Sequence, residues 1–454
     1  MLSWFLGKSK RSSAVKVNKV RYMRPRVQLQ LEALEDRLVP ANLVWNPTLL
    51  TGNSWETAAA WKDDATGVAP ANAPGPGDDV YFYATSPALD CTLTNLSGAC
   101  RSITVAKGWN HYITLQNGSL NVWGINGADS RIWDGCIAVV MAGAKGTLNI
   151  LGGDFMYDTS QLNQPIVVPG GFQGNEDISI ARGGKFDIGE DCLFVAANFE
   201  VGKDPGTNTD SPGTLMVDAF ALGGPHIGIG TPVPTINVSS MGSLVLDTNA
   251  QLVNVIISSA GTVMLYSGSK LSTPNIQSIS ITGGYLNTSN IGVEMIDGNV
   301  TVDNATIRMG EASGLYSGLA ISGNLNMQNT EMDFDVATDT PGTCDQIAVR
   351  GSVGIGTDCT AVYFNDGMYD PTYAHYYTPI YCESGNLTGQ FAFVMQYLNP
   401  TPMPAPPPPP PPPQIPGMAP FPAPMPIPAV MQPAVPYAPN WQVAYNGYGF
   451  YLYG

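Results

Sequence analysis

One short unit recurs along this chain: a glycine, an apolar residue two places on, and another two places after that. It reads Gly118-Ser-Leu120-Asn-Val122, Gly146-Thr-Leu148-Asn-Ile150, Gly213-Thr-Leu215-Met-Val217 and Gly242-Ser-Leu244-Val-Leu246. It returns as Gly261-Thr-Val263-Met-Leu265, Gly298-Asn-Val300-Thr-Val302, Gly323-Asn-Leu325-Asn-Met327 and Gly351-Ser-Val353-Gly-Ile355. Strict alternation after a turn residue marks a short half-buried strand. A single strand of this kind cannot bury its apolar side, whereas stacked copies can. The repeat therefore predicts a solenoid over residues 91–344, an all-β, right-handed parallel β-helix.

Spacing supports that reading. Successive glycines lie 28, 29, 19, 25 and 28 residues apart in the clearer pairs (118 to 146, 213 to 242, 242 to 261, 298 to 323, 323 to 351). A weaker unit, Gly184-Lys-Phe186-Asp-Ile188, falls between Gly146 and Gly213. Such spacing fits one coil of two or three strands with turns of varied length. A β-sandwich array would place turn signals every 8–12 residues, and the repeat does not. The Gly-Gly-x-Gly-x-Asp nonapeptide and the leucine-rich-repeat frame are both absent. Charged residues make up only 12% of the chain, about half the usual share, and helical periodicity is scarce. This suits strands and turns better than a helical enzyme.

Residues 1–41 differ from the rest. Eight basic residues precede the first acidic one, Glu32, whereas from Asn42 onward 11 basic residues face 33 acidic ones, a net charge of −22. So acidic a body repels nucleic acid and anionic lipid and attracts divalent cations. Calcium is the metal to expect if one binds, although the charge serves solubility equally well. The opening apolar run, Leu2 to Leu6, is too short and wrongly placed for an ordinary secretory leader, and no stretch reaches the ~20 apolar residues of a membrane helix. Residues 31–41 read Leu31-Glu32-Ala-Leu34-Glu35-Asp-Arg37-Leu38-Val-Pro40-Ala. Leu31, Leu34 and Leu38 share one side of a short helix that Pro40 ends. The string also resembles the Leu-Glu-x-Leu-Glu-x-Arg-x-x-Pro element near the N-terminus of large exported planctomycete proteins, where it follows a basic stretch. That resemblance implies an extracellular or cell-surface address read by a receptor, with Leu31, Glu32, Leu34, Glu35, Arg37 and Pro40 carrying the signal.

Residues 42–90 read as an N-terminal cap. Trp45, Trp55 and Trp61 can cover the open end of a solenoid. The run Pro74-Gly-Pro-Gly77-Asp78-Asp79-Val80 supplies a turn whose carboxylates cap amides or bind calcium. The order of these residues resembles the opening of passenger-like β-helices of bacterial surface proteins. Residues 345–400 resemble the last coils of autotransporter-type passengers, with Asp345-Gln-Ile-Ala-Val-Arg-Gly351 at one end and Gly385-Asn-Leu-Thr-Gly-Gln-Phe391 at the other. Too few residues follow for a membrane barrel. Residues 401–440 hold 19 of the 38 prolines, eight of them unbroken from Pro406 to Pro413. A polyproline II rod of roughly 25 Å results, a stiff loop or a ligand for an aromatic groove on a protein partner. Residues 441–454 read as a terminal hairpin with a type I′ turn at Asn446-Gly447, packing back on the solenoid.

Seven cysteines occur without a CxxC pair. Cys91 and Cys100 flank a turn and could bridge it, Cys344, Cys359 and Cys382 could supply a second bridge, and core filling is the alternative for each. The three histidines, His111, His226 and His375, lie outside any Ser/Asp or Cys pattern. No phosphate loop, GxSxG or HExxH motif is present. Two acidic groupings have a composition that could support polysaccharide chemistry: Asp187, Glu190 and Asp191 near Arg182 and Lys185, and Asp297, Asp303 and Glu311 near Arg308. The expectation is a non-catalytic surface β-helix with a structural or adhesive role toward envelope or matrix components, polysaccharide among them. A polysaccharide-active enzyme and a calcium-dependent binding module are the alternatives.

Overall fold

The computed structural model describes residues 40–48, 51–109, 111–133, 136–138, 146–157, 173–188, 195–218, 235–252, 255–273, 278–288, 292–310, 316–337, 344–366, 376–398, 436–437, 442–446 and 448–453. Met1–Val39 forms one unit and lies outside them. Pro40–Gly454 forms the other, and its described regular elements are all strands apart from one three-residue 3-10 turn at Ala58–Ala60.

The strands coil into a parallel β-solenoid with up to three faces. A sixteen-stranded sheet forms the first face and a twelve-stranded sheet the second. The third face has three strands in the early coils and eight from Gln251–Leu252 onward. Where all three are present, the chain visits the third, second and first faces in turn. Cys91–Thr94, Ser97–Cys100 and Ser102–Val105 make one such coil.

Register keeps like over like. Gly184, Phe186 and Ile188 lie beside Gly213, Leu215 and Val217, which lie beside Gly242, Leu244 and Leu246. The alternating residues are fully buried, with Leu215, Leu244, Leu325 and Val353 all at 0% exposure. Each such side chain contributes roughly 1.5–3 kcal/mol. The recurrent unit therefore marks coils as expected, but it occupies two faces. Gly118, Gly146, Gly298, Gly323 and Gly351 introduce strands of the second face, whereas Gly184, Gly213, Gly242 and Gly261 introduce strands of the first. Within a face, 19–29 residues separate neighbouring copies of the unit, while other coils are longer, 37 residues from Phe199 to Ile236. Gly146 to Gly184 is a change of face rather than a coil, which corrects the reading of Gly184 as a simple intermediate.

The first of these glycines is needed for space. A Cβ at Gly184 would lie 2.8 Å from the Ile150 carbonyl oxygen, and one at Gly213 would run into the Ile180 carbonyl. The chain crosses from the second face to the first at this corner, too tightly for a side chain.

The first face ends on each side in a strand running the other way. Trp61–Asp63 pairs antiparallel with Asn42–Trp45 at the start of the first face, and Pro436–Tyr437 pairs antiparallel with Phe393–Leu398 at its finish. Trp45, Trp55 and Trp61 are at most 1% exposed and pack edge to face, 4.9 and 5.0 Å between ring centres. The tryptophan cap is thus borne out, and Asp79–Phe82 already belongs to the first face. Residues 345–398 form no separate module; their strands continue the third, second and first faces in the same order. The terminal hairpin pairs antiparallel with Tyr376–Cys382, closing the third face as expected. Its turn differs from the expected one. Asn446 pairs with Gly449, a register one place later than a turn centred on Asn446-Gly447 would give. The Asn446 side chain instead accepts the Tyr448 N–H at 2.8 Å.

The expected Cys91–Cys100 bridge is absent. Cys91 points inward from the third face and Cys100 from the second, both fully buried free thiols. Cys344, Cys359 and Cys382 are free as well. Burial raises the Cys91 and Cys100 thiols well above their ordinary pKa, so they behave as small core side chains.

Candidate functional site

The expected acidic residues that the structure brings together lie on the outer surface of the first face. Inward positions there are filled by Phe155, Phe186, Leu215, Leu244, Val263, Leu286 and Ile307. The residues between them point outward, one coil stacked on the next.

The first acidic grouping is partly assembled. Lys185 and Asp187 meet at 3.0 Å, two positions apart on one side of the strand Gly184–Ile188. Arg182 turns away at the preceding corner and pairs with Asp204, 2.5 Å from Nε to Oδ2, while Gly206 N–H donates to the same carboxylate at 2.8 Å. The Arg182 guanidinium and these amides hold Asp204 below the usual carboxylate range. Glu190 and Asp191 lie outside the described residues. The structure adds Asp218, on the next coil. Burial, followed by the charges of Asp187 and Asp247, raises its carboxyl to about 6.

The second grouping is dispersed. Asp297 ends a third-face strand and accepts the Ser322 hydroxyl at 2.6 Å. Asp303 ends a second-face strand, Arg308 sits on the first face, and Glu311 lies outside the described residues. Arg308 pairs instead with Asp333, its neighbour on the next coil, at 3.4 Å. Sequence reasoning passed over Asp333. It is 5% exposed, and burial followed by the Glu331 charge raises it to about 6, against the pull of Arg308. Its signal was present in the outward acids of the strand Glu331-Met-Asp333-Phe-Asp335, each separated by an inward apolar residue.

Other expected residues take structural places. Asp78 accepts the Gly75 N–H at 2.9 Å and the Ala41 N–H at 3.2 Å, the amide-capping role. Asp79 binds Arg101 and the Ser102 hydroxyl. His111 lies 3.5 Å from Asp90, and His226 and His375 fall outside the described residues. So do Leu31, Glu32, Leu34, Glu35 and Arg37, while Pro40 begins the described chain. Asp345 is fully buried and accepts from the Ser317 and Asp335 N–H groups at 2.6 and 2.7 Å, clamping two coils together. Among the described residues no three His, Cys, Asp or Glu side chains gather as a metal-binding set, and no helix is long and apolar enough to cross a membrane.

Chemically, Lys185, Asp187 and Asp218 bring one ammonium and two carboxyl groups together, and burial raises that of Asp218 to about 6. Asp333, beside Arg308, is a second carboxyl raised to about 6. Comparison with protein-family models, curated proteins and solved structures found no match. The fold alone defines the class, a parallel β-solenoid protein whose longest sheet ends in an antiparallel strand at each side.

Proposed function

We propose that this chain is a non-catalytic protein of the cell surface or extracellular space, with a structural and adhesive role toward envelope or matrix components that include polysaccharide. The observation that carries this reading is the closure of the long sheet by an antiparallel strand at each end. A solenoid so capped presents stacked side chains on its flanks while resisting growth by edge pairing. The net charge of −22 after Asn42 keeps such a body soluble. The basic stretch and the Leu31–Pro40 element support the surface address. Fractionation of native cells tests it: the protein is expected with the envelope or the medium, and recovery in the cytosol alone overturns the reading.

One observation favours a second reading, a polysaccharide-active enzyme. Asp218 has a raised carboxyl, as a general acid requires, beside the carboxyl of Asp187. Assays of acidic and neutral polysaccharides for chain cleavage separate the two. Cleavage abolished by Asp218→Asn in a folded variant would establish the enzyme.

A further inference from the structure

A pocket of about 280 Å³ lies away from the acidic groupings, at the corner where the early coils pass from the third face to the second. In one coil Cys91–Thr94 gives way to Ser97–Cys100, and in the next Tyr112–Gln116 gives way to Ser119–Val122. Asn95, Leu96 and Ser97 line the pocket from the first of these coils, Asn117 and Ser119 from the second, and Thr147 from a third. Asn95 and Asn117 turn the corner with left-handed backbone, φ 57° and 53°, a conformation that Asn takes more readily than most side chains. Backbone groups here tie the coils together. Asn95 N–H donates to the Gln116 carbonyl at 2.9 Å, Ser119 N–H to the Leu96 carbonyl at 3.0 Å and Thr147 N–H to the Gly118 carbonyl at 3.0 Å. What the corner offers to a ligand is therefore its side chains.

Three of those side chains form a ladder of hydroxyls. Ser97, Ser119 and Thr147 share one register. Leu120 and Leu148, which alternate with them, are fully buried, so the hydroxyls point outward, about 4.8 Å apart from strand to strand. Ser119 Oγ–H donates to Ser97 Oγ at 2.8 Å. A hydroxyl has one donor and two acceptor sites, so Ser97 can still donate and Ser119 can still accept. Leu96, 51% exposed, sets an apolar side chain beside them. None of the lining residues is ionisable. A charged ligand would lose hydration here without gaining a counter-charge, and a body of net charge −22 after Asn42 repels an anion further. The volume sits near the ~300 Å³ lower end of small-molecule pockets, which suits a single ring.

We infer that this pocket binds one pyranose unit of a neutral glycan. Ser97, Ser119 and Thr147 exchange hydrogen bonds with the ring hydroxyls in both donor and acceptor roles, and Leu96 covers part of the C–H surface of the ring. The inference rests on the adhesive reading above and gives it a ligand class and a location.

Calorimetric titration of the full chain with cellotetraose, mannotetraose and chitotetraose, and with a galacturonate tetramer as the acidic counterpart, tests it. Binding of at least one neutral tetramer is expected, unchanged by salt and at least tenfold tighter than that of the acidic one. Thr147→Val should weaken it about threefold to tenfold, the loss of one hydrogen bond between neutral groups. Ser119→Trp, which fills the pocket from an outward position, should abolish it. Melting curves matching the parent confirm that the variants fold, and if Ser119→Trp does not fold, Thr147→Val decides alone. If the parent binds a neutral tetramer and the folded variants bind it equally well, the pocket is the wrong location while the adhesive reading stands. Equal affinity for the acidic tetramer overturns the ligand class. If the parent binds none of the neutral tetramers, the pocket proposal fails. Sedimentation with isolated envelope material then tells whether the adhesive reading fails with it.

Discussion

A single residue's fate in this fold depends on which side of its strand it occupies. Leu325 is fully buried while its neighbour Asn326 is exposed. Leu325→Asp should therefore abolish cooperative unfolding or cost several kcal/mol, because an unpaired charge enters the core. Asn326→Asp should change stability by no more than about 0.5 kcal/mol. Urea denaturation of the two variants checks the assignment, and the opposite order would mean that the strand is read one residue out. Asp333 makes a pH prediction. Its folded pKa, about 6, lies above the ordinary carboxylate value of 3.8. The folded state therefore binds more protons between those values, and this group lowers stability as pH rises from about 4 to 6. Asp333→Asn should remove that dependence, leaving the variant relatively more stable than the parent at pH 7 than at pH 4. Melting temperatures across pH 4–7 give the comparison, and parallel curves for the two proteins would refute it.

Elements in this protein are short, and their stability comes from neighbours. The strand Gly449–Tyr453 is anchored by Phe450 and Leu452, both fully buried, with Phe450 packed on Phe391 and Phe334 at 5.1 and 6.1 Å between ring centres. Phe450→Ala is expected to cost about 3–5 kcal/mol. Removing residues 441–454 also reopens the edge of Tyr376–Cys382. The shortened chain should melt lower and associate at high concentration, and an unchanged melting point would mean that the hairpin contributes nothing. The hairpin was legible as alternation around a turn. Its loop position was not, because the register is set by pairing with Tyr376–Cys382 as well as by the Asn-Gly dipeptide.

Across the whole molecule, coils touch mainly their neighbours, so the terminal coils depend on their caps. A chain beginning at residue 91 loses Trp45, Trp55 and Trp61 and the antiparallel strand Trp61–Asp63. It exposes the first coil, including Leu93, where Trp55 also approaches Gly98. Size-exclusion chromatography should show it as aggregates, and a folded monomer would contradict the capping role.

How much of this was written in the chain follows from the range of each interaction. Alternation of apolar residues and glycines at tight corners are local demands, so the sequence by itself determined a β-solenoid, its buried rows and its tryptophan cap. Which face each unit joins is a long-range matter, and Gly146 and Gly184 look alike in sequence while lying on different faces. The same holds for the acids. Asp297, Asp303 and Arg308 are close in sequence but part at the corners, whereas Arg308 and Asp333, 25 residues apart, are neighbours because one coil separates them. Only the tertiary structure decided those meetings. A solenoid brings together residues a full coil apart, and coil length is set by turns that vary from one coil to the next.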